Sequence, residues 1–131
     1  MKKLLISGGN GKLAKQVILH NDYYEILAPS KEEMDITDID SIESFVRAHR
    51  PDIFLHAAAY TRPMNKHQEN PQLSLEINII GTANVALTCI KHKIKLVYVS
   101  TDYVYPGTTG NYKETDALLP YYGNNDIKIA R

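Results

Sequence analysis

The stretch that decides the fold is Leu4-Leu5-Ile6-Ser7-Gly8-Gly9-Asn10-Gly11-Lys12-Leu13-Ala14 near the amino terminus. Its three consecutive apolar residues indicate a strand buried on both faces, and a helical pattern begins at Lys12. Gly8 permits the tight turn between them, Gly11 lets the main chain approach a pyrophosphate, and Ala14 allows close packing of helix on strand. Free N–H groups at the helix amino terminus favour phosphates. The sequence therefore predicts a dinucleotide-binding turn.

Short apolar runs recur along the chain and alternate with amphipathic helical patterns. The later runs are apolar on consecutive residues and span 25–28, 53–57 and 96–99. The helical patterns span 12–20, 38–49 and 71–93. Because strands and helices alternate, right-handed crossovers give a parallel sheet with helices on both faces, which is an α/β fold.

Two of the helices carry recognisable start signals. Thr37 is the expected N-cap of the helix over 38–49, and Asn70 precedes Pro71 at the start of the longest helix. We expect the longest helix to be well buried, because its apolar residues cover a broad face. They are Leu73, Ile77, Ile80, Ala83, Leu87 and Ile90. Residues 101–131 are rich in Tyr, Gly, Asn, Thr and Asp, and are typical of a loop.

Composition excludes several classes of function. The 131 residues carry 15 Lys and Arg against 15 Asp and Glu, so the electrostatic footprint of a nucleic-acid or membrane-surface binder is missing. The five histidines are scattered and Cys89 stands alone, so we expect no metal site and no internal disulfide. The first apolar run is too short for a signal peptide or a membrane span. We expect a single-domain, cytoplasmic protein.

The segment after the second strand bears on the choice of dinucleotide. Ala28-Pro29-Ser30-Lys31 has no acidic residue where the dinucleotide fingerprint places one against the adenosine ribose. Ser30 and Lys31 can instead bind a 2′-phosphate, which favours NADP. The alternative is a solvated loop end, which leaves NAD equally open. Asp35 follows closely, and its carboxylate could reach the adenine end of the cofactor.

Three further segments carry a family resemblance. They are Met34-Asp35-Ile36-Thr37-Asp38, the stretch from Arg50-Pro51-Asp52 to His56-Ala57-Ala58-Ala59-Tyr60-Thr61, and Ser100-Thr101-Asp102-Tyr103-Val104-Tyr105-Pro106-Gly107. With the glycine turn, this series resembles the dTDP-4-dehydrorhamnose reductase family, which are extended short-chain dehydrogenase/reductases. The resemblance runs from residue 3 to about residue 120. It implies a Rossmann-like fold of which only the first four strands are present, and NAD(P)H-dependent reduction of a nucleotide-linked 4-keto-6-deoxy sugar.

The resemblance also implies roles for individual residues. A pyrophosphate would lie against Gly8, Asn10, Gly11, Lys12 and Leu13, and the adenine against Asp35 and Ile36, with Ser30 nearby. The floor under the nicotinamide would be Ala57, Ala58 and Ala59. Asn78 matches a buried asparagine near the active site. Ser100 and the catalytic candidate Thr101 match hydroxyls that bond the sugar carbonyl; the alternative is a strand-end turn capped by Asp102.

The chain departs from the family at its Tyr-x-x-x-Lys dyad, in which tyrosine protonates the carbonyl and lysine lowers its pKa. Tyr122 is followed four residues later by Asp126, and the nearest lysine is Lys128. Counting from Pro120 places Lys128 in register but puts Asn124 at the tyrosine position. An aspartate at the lysine position would raise the tyrosine pKa. Tyr122 and Lys128 are the remaining catalytic candidates; the alternative for the tyrosine is a loop aromatic.

Two hypotheses follow for the whole chain. We expect residues 1–120 to form an NAD(P)-binding Rossmann domain and residues 121–131 a divergent tail, with the family's substrate region absent. The chain is then a truncated reductase with weak or no activity alone, whose nucleotide-sugar substrate binds only if the site is completed. The alternative is a non-catalytic Rossmann module that binds a dinucleotide or a protein, as a regulatory subunit does. An exposed apolar fourth strand predicts a homo-oligomer or a covering partner chain.

Overall fold

The computed structural model of the chain describes residues 1–61, 63 and 65–118. Met1–Val99 forms one compact unit, and the residues from Ser100 onward belong to a second. The first unit contains the whole sheet and all the α-helices of the described residues. The described part of the second unit holds one short 3₁₀ turn, Asp102–Val104, which agrees with the predicted loop.

The first unit is built on a four-stranded parallel sheet. The strands are β1 (Lys2–Ser7), β2 (Tyr24–Leu27), β3 (Ile53–His56) and β4 (Lys95–Tyr98). Their order is β2-β1-β3-β4 and every pairing is parallel. The four predicted strands are therefore confirmed, and the chain has the Rossmann-like α/β fold.

Within the described residues, five α-helices and one π-helical segment connect these strands. The helices are α1 (Lys12–Leu19), α2 (Ile39–His49), α3 (Asn65–Glu69), α4 (Pro71–Leu75) and α5 (Thr82–His92). The π-helical segment, Glu76–Gly81, joins α4 directly to α5. The predicted single helix over 71–93 is thus interrupted by a π turn, and α3 was not predicted.

Alternation along the strands divides the core between the two faces of the sheet. Leu5 and Phe54 point to the face that packs against α2 and α5, in a cluster with Ile42 and Val85. Their strand neighbours Leu4, Ile6, Ile53 and Leu55 point to the other face, with Ala14 of α1. Successive side chains of a strand alternate between faces, so consecutive apolar residues require helices on both. The prediction of helices on both faces is confirmed.

The start of α2 differs from the prediction by one residue. The carboxylate of Asp38, not the hydroxyl of Thr37, caps the helix by accepting a hydrogen bond from Asp40 N at 2.9 Å. The Thr37 hydroxyl is instead turned back toward Asp35, donating to its Oδ1 at 2.8 Å. The predicted cap of α4 is confirmed, since the Asn70 side chain accepts from Leu73 N at 3.1 Å.

The prediction that Leu73, Ile77, Ile80, Ala83, Leu87 and Ile90 form a buried face is wrong from Ile80 onward, since Ile80 is already 49% exposed within the π-helical segment. Leu87 and Ile90 are 56% and 77% exposed, whereas Gly81, Val85 and Cys89 are buried. A π turn inserts one extra residue into a helix. The face directed at the sheet therefore moves one residue along the chain, and the apolar stripe expected from simple helical spacing points outward.

The helical stretch Pro71–His92 is also long and apolar enough to cross a membrane, with a mean hydropathy of 1.5 over its most apolar window. Helices that pack on a sheet pass the same test of length and composition. Here the helix buries Val85, Thr88 and Cys89 against the rest of the first unit. Only 22% of that apolar window is buried inside the structure.

Candidate functional site

A cleft of about 310 Å³ opens at the carboxyl ends of β1 and β3. Three segments line it: the glycine turn after β1, the segment that follows β2, and the small residues after β3. The chain passes from β1 to β2 on one side of the sheet and then returns to β3 on the other. Ligands of open parallel sheets bind at such a switch point, outside the carboxyl ends of the strands.

The glycine turn is packed too closely for side chains. Gly8 has a φ of +74°, and a Cβ there would lie 3.0 Å from Ala58 Cα. A Cβ on Gly11 would lie 2.9 Å from Gly8 O, to which Gly11 N donates at 2.7 Å. A Cβ on Gly9 would lie only 2.6 Å from Ala28 O. Sequence reasoning missed Gly9, although this buried position leaves as little space for a Cβ as Gly8 and Gly11 do.

Helix α1 presents an uncapped amino end beside this turn. Gly11 occupies the N-cap position with no side-chain hydrogen bond, and the first turn holds no acidic residue. The first N–H groups of an α-helix have no partner within the helix, and the helix dipole favours negative charge there. Asn10 lines the cleft, whereas Lys12 and Leu13 are the first residues of α1, exposed and not among its lining residues.

The segment after β2 forms a capped turn at one end of the cleft. Ser30 N donates to Glu33 Oε2 at 2.7 Å, and Met34 N donates back to Ser30 O at 3.0 Å. The bond to Glu33 is the carboxylate half of a helix capping box, and the two bonds together hold the Ser30 backbone. Lys31 lies next to it with its ammonium 3.6 Å from Asp35 Oδ2 and its side chain 69% exposed. Both Ser30 and Lys31 line the cleft.

Asp35 is held by its neighbours and lines the same end of the cleft. Its Oδ1 accepts hydrogen bonds from Thr37 N at 2.9 Å and from the Thr37 hydroxyl at 2.8 Å. Desolvation raises the pKa of Asp35, but these hydrogen bonds and the charge of Lys31 outweigh it, so the pKa is lowered. Ile36 lies beside it in the cleft wall. The carboxylate is therefore ionised, and one of its oxygens is committed to the turn.

The floor of the cleft follows β3. Ala57, Ala58 and Ala59 line it, and the N–H groups of Ala57 and Ala58 both donate to Ser7 Oγ at 3.2 Å. Ser7 ends β1, so one hydroxyl joins the ends of the two strands that bracket the cleft. Small side chains here leave backbone atoms accessible to a flat ring.

Asn78 stands in the π-helical segment and fixes the loop beyond this floor. Its Oδ1 accepts from Tyr60 N at 2.8 Å and its Nδ2 donates to Tyr60 O at 2.9 Å. Ile77 beside it lines the cleft, a position that sequence reasoning did not assign. Isolated π turns are frequent at functional sites, where they redirect side chains.

The cleft belongs to the first unit, whereas the catalytic candidates do not. Ser100 and Thr101 follow β4 and belong to the second unit, where both are exposed. The Thr101 hydroxyl donates to Asp102 Oδ1 at 3.5 Å. Tyr122 and Lys128 lie outside the described residues. The roles assigned to these four residues stay predictions.

Within the described residues, no group of three His, Cys, Asp or Glu side chains is arranged to hold a metal ion. Cys89 is buried, and burial raises its pKa to about 11. A thiol that stays protonated at neutral pH is a poor nucleophile. The interpretation of Cys89 as an inert core residue agrees with this.

Comparison with known proteins adds a family match. The family model described as the RmlD substrate binding domain matches residues 1–128. A curated relative, dTDP-4-dehydrorhamnose reductase of Aggregatibacter actinomycetemcomitans, is 35% identical over 137 residues, covering 100% of this chain and 46% of that protein. Methionine adenosyltransferase 2 subunit beta of Pongo abelii is 25% identical over 137 residues, covering 96% of this chain and 41% of that protein.

A solved structure shares both the fold and the sequence. The dTDP-4-dehydrorhamnose reductase of Bacillus anthracis, in complex with NADP, superposes with a TM-score of 0.85 at 37% sequence identity. The match covers 92% of this chain and 44% of that chain. This chain therefore spans less than half the length of the relatives it matches.

Proposed function

Since its match covers residues 1–128, the chain belongs to the RmlD substrate binding domain family, and on that premise we propose that it binds a nicotinamide dinucleotide in the cleft at the carboxyl ends of β1 and β3. The observation that carries the proposal is the uncapped amino end of α1 behind a glycine turn that leaves no space for a Cβ at Gly8 or Gly11. Such a turn brings backbone N–H groups against a pyrophosphate.

The adenosine half would lie against the segment that follows β2. Lys31 is exposed and beside Ser30 in the cleft wall, and its ammonium lies 3.6 Å from the Asp35 carboxylate. No acidic side chain stands at the end of β2 itself. A lysine ammonium and a serine hydroxyl suit a 2′-phosphate, so we propose a preference for NADP(H) over NAD(H). The NADP complex of the Bacillus anthracis relative supports this choice.

The nicotinamide half would lie over Ala57, Ala58 and Ala59. These residues expose backbone at the end of β3, where a flat ring can pass close to the main chain. The hydrogen bonds from Ala57 N and Ala58 N to Ser7 hold that surface in place before any ligand arrives. A preformed floor reduces the ordering cost of binding.

Reduction of a nucleotide-linked keto-sugar is proposed only for a protein that also has the substrate region of the longer relatives. Residues 1–120 would then be its cofactor-binding domain and residues 121–131 a divergent tail, with Ser100, Thr101, Tyr122 and Lys128 as the residues near the sugar. The names of the reductase relatives support this activity. We also propose that the protein works in the cytoplasm, as a biosynthetic enzyme of this kind would.

A non-catalytic module is the second candidate. It is favoured by the absence of an intact Tyr-x-x-x-Lys dyad, because Asp126 stands four residues after Tyr122. It is also supported by similarity to a protein named as a subunit, methionine adenosyltransferase 2 subunit beta. Cofactor binding without keto-sugar turnover would favour this candidate, whereas turnover at rates of about 1 per second or more would favour the enzyme.

The test is a titration of the purified chain with NADPH and with NADH, followed by nicotinamide fluorescence. We expect saturable binding of NADPH, weakened about tenfold or more by Gly11→Ala, because the new methyl group would collide with Gly8 O. Gly110→Ala is the matched control, since a Cβ at Gly110 meets nothing within 4 Å. Circular dichroism is the measurement that checks whether both variants are folded. Failure of the folded chain to bind either dinucleotide would refute the proposal.

A further inference from the structure

His56 ends β3 directly before the floor of the cleft and is 1% exposed. Its Nδ1 lies 2.7 Å from Ser7 Oγ, and its Nε2 lies 3.0 Å from Thr82 Oγ1. Both ring nitrogens therefore have a hydroxyl partner, one at the end of β1 and one at the start of α5. The ring connects the two strand ends that bracket the cleft to the helix packed against them.

The bonding at Ser7 decides which ring nitrogen of His56 carries the proton. Ser7 Oγ accepts two hydrogen bonds, from Ala57 N and Ala58 N, which occupy both of its lone pairs. Its hydroxyl proton is then left to be donated, and Nδ1 at 2.7 Å is the acceptor. Nδ1 must therefore be unprotonated, and a neutral ring carries its proton on Nε2.

The bonding at Thr82 requires the same tautomer. The Thr82 hydroxyl donates its single proton to Asn78 O at 2.8 Å. Its oxygen is therefore the acceptor toward His56, and Nε2–H is the donor. Two independent partners thus agree, and the proton directions run in one sense from His56 through Thr82 to the backbone of the π-helical segment.

We propose that His56, as the neutral Nε2–H tautomer, is a positioning residue that sets the backbone of Ala57 and Ala58 for the cofactor, and that its protonation weakens cofactor binding. The proposal rests on the dinucleotide site proposed above. His56 does not line the cleft itself and acts through Ser7. His56 accepts the Ser7 hydroxyl proton, which leaves both lone pairs of Ser7 Oγ to hold Ala57 N and Ala58 N.

Protonation of His56 would break this arrangement because Ser7 Oγ has no free lone pair to accept a further hydrogen bond. Nδ1–H would point at Ser7 Oγ, whose two lone pairs already serve Ala57 N and Ala58 N. One of those N–H groups must then lose its partner, and the Ser7 proton must find another acceptor. A buried polar group without a partner is costly, so the floor of the cleft would shift.

The surroundings of the ring oppose protonation until the medium is acidic. Burial lowers the pKa of His56 to about 4 and is the only cause of the shift. The rings of Phe54 and Tyr98 pack against it with centroids 6.4 Å and 5.7 Å away, and of these two only Tyr98 can ionise. Among the charged residues of the packed elements, Lys2, Lys3, Asp52 and Lys95 stand at or before the amino ends of strands, Lys91 and His92 end α5, and Glu76 begins the π-helical segment.

The first arm of the test needs no ligand. Long-range ¹H–¹⁵N spectra of the free protein report the tautomer of His56, and amide spectra report Ala57 and Ala58. We expect Nε2–H at pH 7, and on acidification the ring nitrogens and the two amides should titrate together near pH 4. An Nδ1–H tautomer, or amides that ignore the titration of the ring, would overturn the proposal.

The second arm measures binding of NADP⁺ by calorimetry between pH 3 and 7, at the pH values where circular dichroism shows the chain folded. His56→Asn places a carbonyl oxygen near Nδ1 that can accept from Ser7 but cannot gain a proton. We expect it to bind NADP⁺ within about threefold of the wild type at pH 7, and to lose the part of the acidic decline that His56 causes. His56→Leu offers Ser7 no acceptor and should bind about tenfold more weakly at pH 7.

His49→Asn is the matched control, because His49 is exposed and ends α2 with its ring stacked on Phe45. It should keep the wild-type pH profile. An unchanged acidic decline in His56→Asn would overturn the proposal. If NADP⁺ binds to none of the proteins, the dinucleotide proposal fails, while the spectra still decide whether His56 sets the Ala57 and Ala58 backbone.

Discussion

Gly8 and Ala58 touch across the base of the cleft: a Cβ on Gly8 would lie 3.0 Å from Ala58 Cα and 3.1 Å from its nitrogen. The glycine turn after β1 and the floor after β3 are therefore one packed surface. Backbone atoms, which cannot move aside as a side-chain tip can, form both sides of the contact. Any change at this contact alters the two halves of the proposed cofactor site together.

Gly8→Ala should destabilise the chain and weaken NADPH binding. The residue has a φ of +74°, which costs alanine about 1–3 kcal/mol of strain, and the new methyl group would push Ala58 away. We expect a lower midpoint of thermal unfolding and an affinity reduced about tenfold at a temperature where the variant is folded.

Gly107→Ala separates strain from contact in that experiment. Gly107 has a similar φ of +72°, but a Cβ there meets nothing within 4 Å. It should share the backbone strain and leave NADPH affinity unchanged. Equal losses of affinity in the two variants would show that the contact with Ala58 is irrelevant to binding.

Lys31→Ala should reduce affinity for NADPH more than affinity for NADH. The ammonium of Lys31 is the cation that the cleft wall offers to a 2′-phosphate, and a charge-assisted bond of this kind is worth roughly a tenfold change in affinity. Fluorescence titrations with both dinucleotides measure the ratio. Lys15→Ala, on the exposed side of α1, is the control that should change neither affinity. A Lys31→Ala variant that still prefers NADPH over NADH would contradict this prediction and favour the alternative, in which Ser30 and Lys31 form a solvated loop end.

Glu43→Gln should lower thermal stability. The buried carboxylate of Glu43 accepts from Arg47, Lys91 and His92 at 3.0, 3.1 and 2.9 Å, joining α2 to the end of α5. The hydrogen bond from His92 and the charge of Lys91 outweigh desolvation and lower the pKa of Glu43 to about 2. A neutral amide cannot balance the charges of Arg47 and Lys91. We expect the unfolding midpoint to fall, with Glu114→Gln, the same change at an exposed residue of the second unit, as an unaffected control.

The same carboxylate predicts a dependence of stability on pH. Because its folded pKa is below its ordinary value of 4.5, its contribution is complete above about pH 4.5 and disappears as the pH falls toward 2. Unfolding midpoints of wild type and Glu43→Gln should therefore converge on acidification across that range. A constant difference between pH 6 and pH 2 would contradict the assignment.

The edge of the sheet predicts self-association or a covering partner. On and after β4, which is an edge strand of the described sheet, Val97, Tyr98 and Val99 are 42%, 54% and 45% exposed. Unpaired apolar edges favour pairing with another chain. Light scattering after size-exclusion chromatography should give a mass above the 14.8 kDa of one chain, and Val97→Lys should reduce it. Leu19→Lys, on the exposed end of α1, is the matched control; a wild-type monomer would contradict the prediction.

The layout of the fold could be predicted because it depends on local patterns. Runs of consecutive apolar residues indicated four strands buried in a parallel sheet, and the spacing of Gly8 and Gly11 between strand and helix located the cleft. Ser30, Asp35 and Ala58 lie in that cleft because strand ends of a parallel sheet meet at one edge.

The remaining features depend on contacts that sequence patterns do not contain. The π-helical segment moves the buried face of the long helix by one residue, and nothing in the apolar spacing around Ile80 signals it. Position 9 requires glycine because of its close contact with Ala28, nineteen residues away. The bonding of His56 joins Ser7 and Thr82 from positions 49 residues before it and 26 after it. Such relations appear only when the strands are paired.

The most direct test of the account is an amide-resolved titration of the ¹⁵N-labelled chain with NADPH. We predict saturable shifts in the micromolar range that concentrate at Gly8, Gly11 and Ala58, with Gly107 and Gly110 unchanged. Such a result would place the dinucleotide on the glycine turn and the β3 floor. A titration in which Gly8, Gly11 and Ala58 do not respond would contradict the central claim that this cleft is a cofactor site.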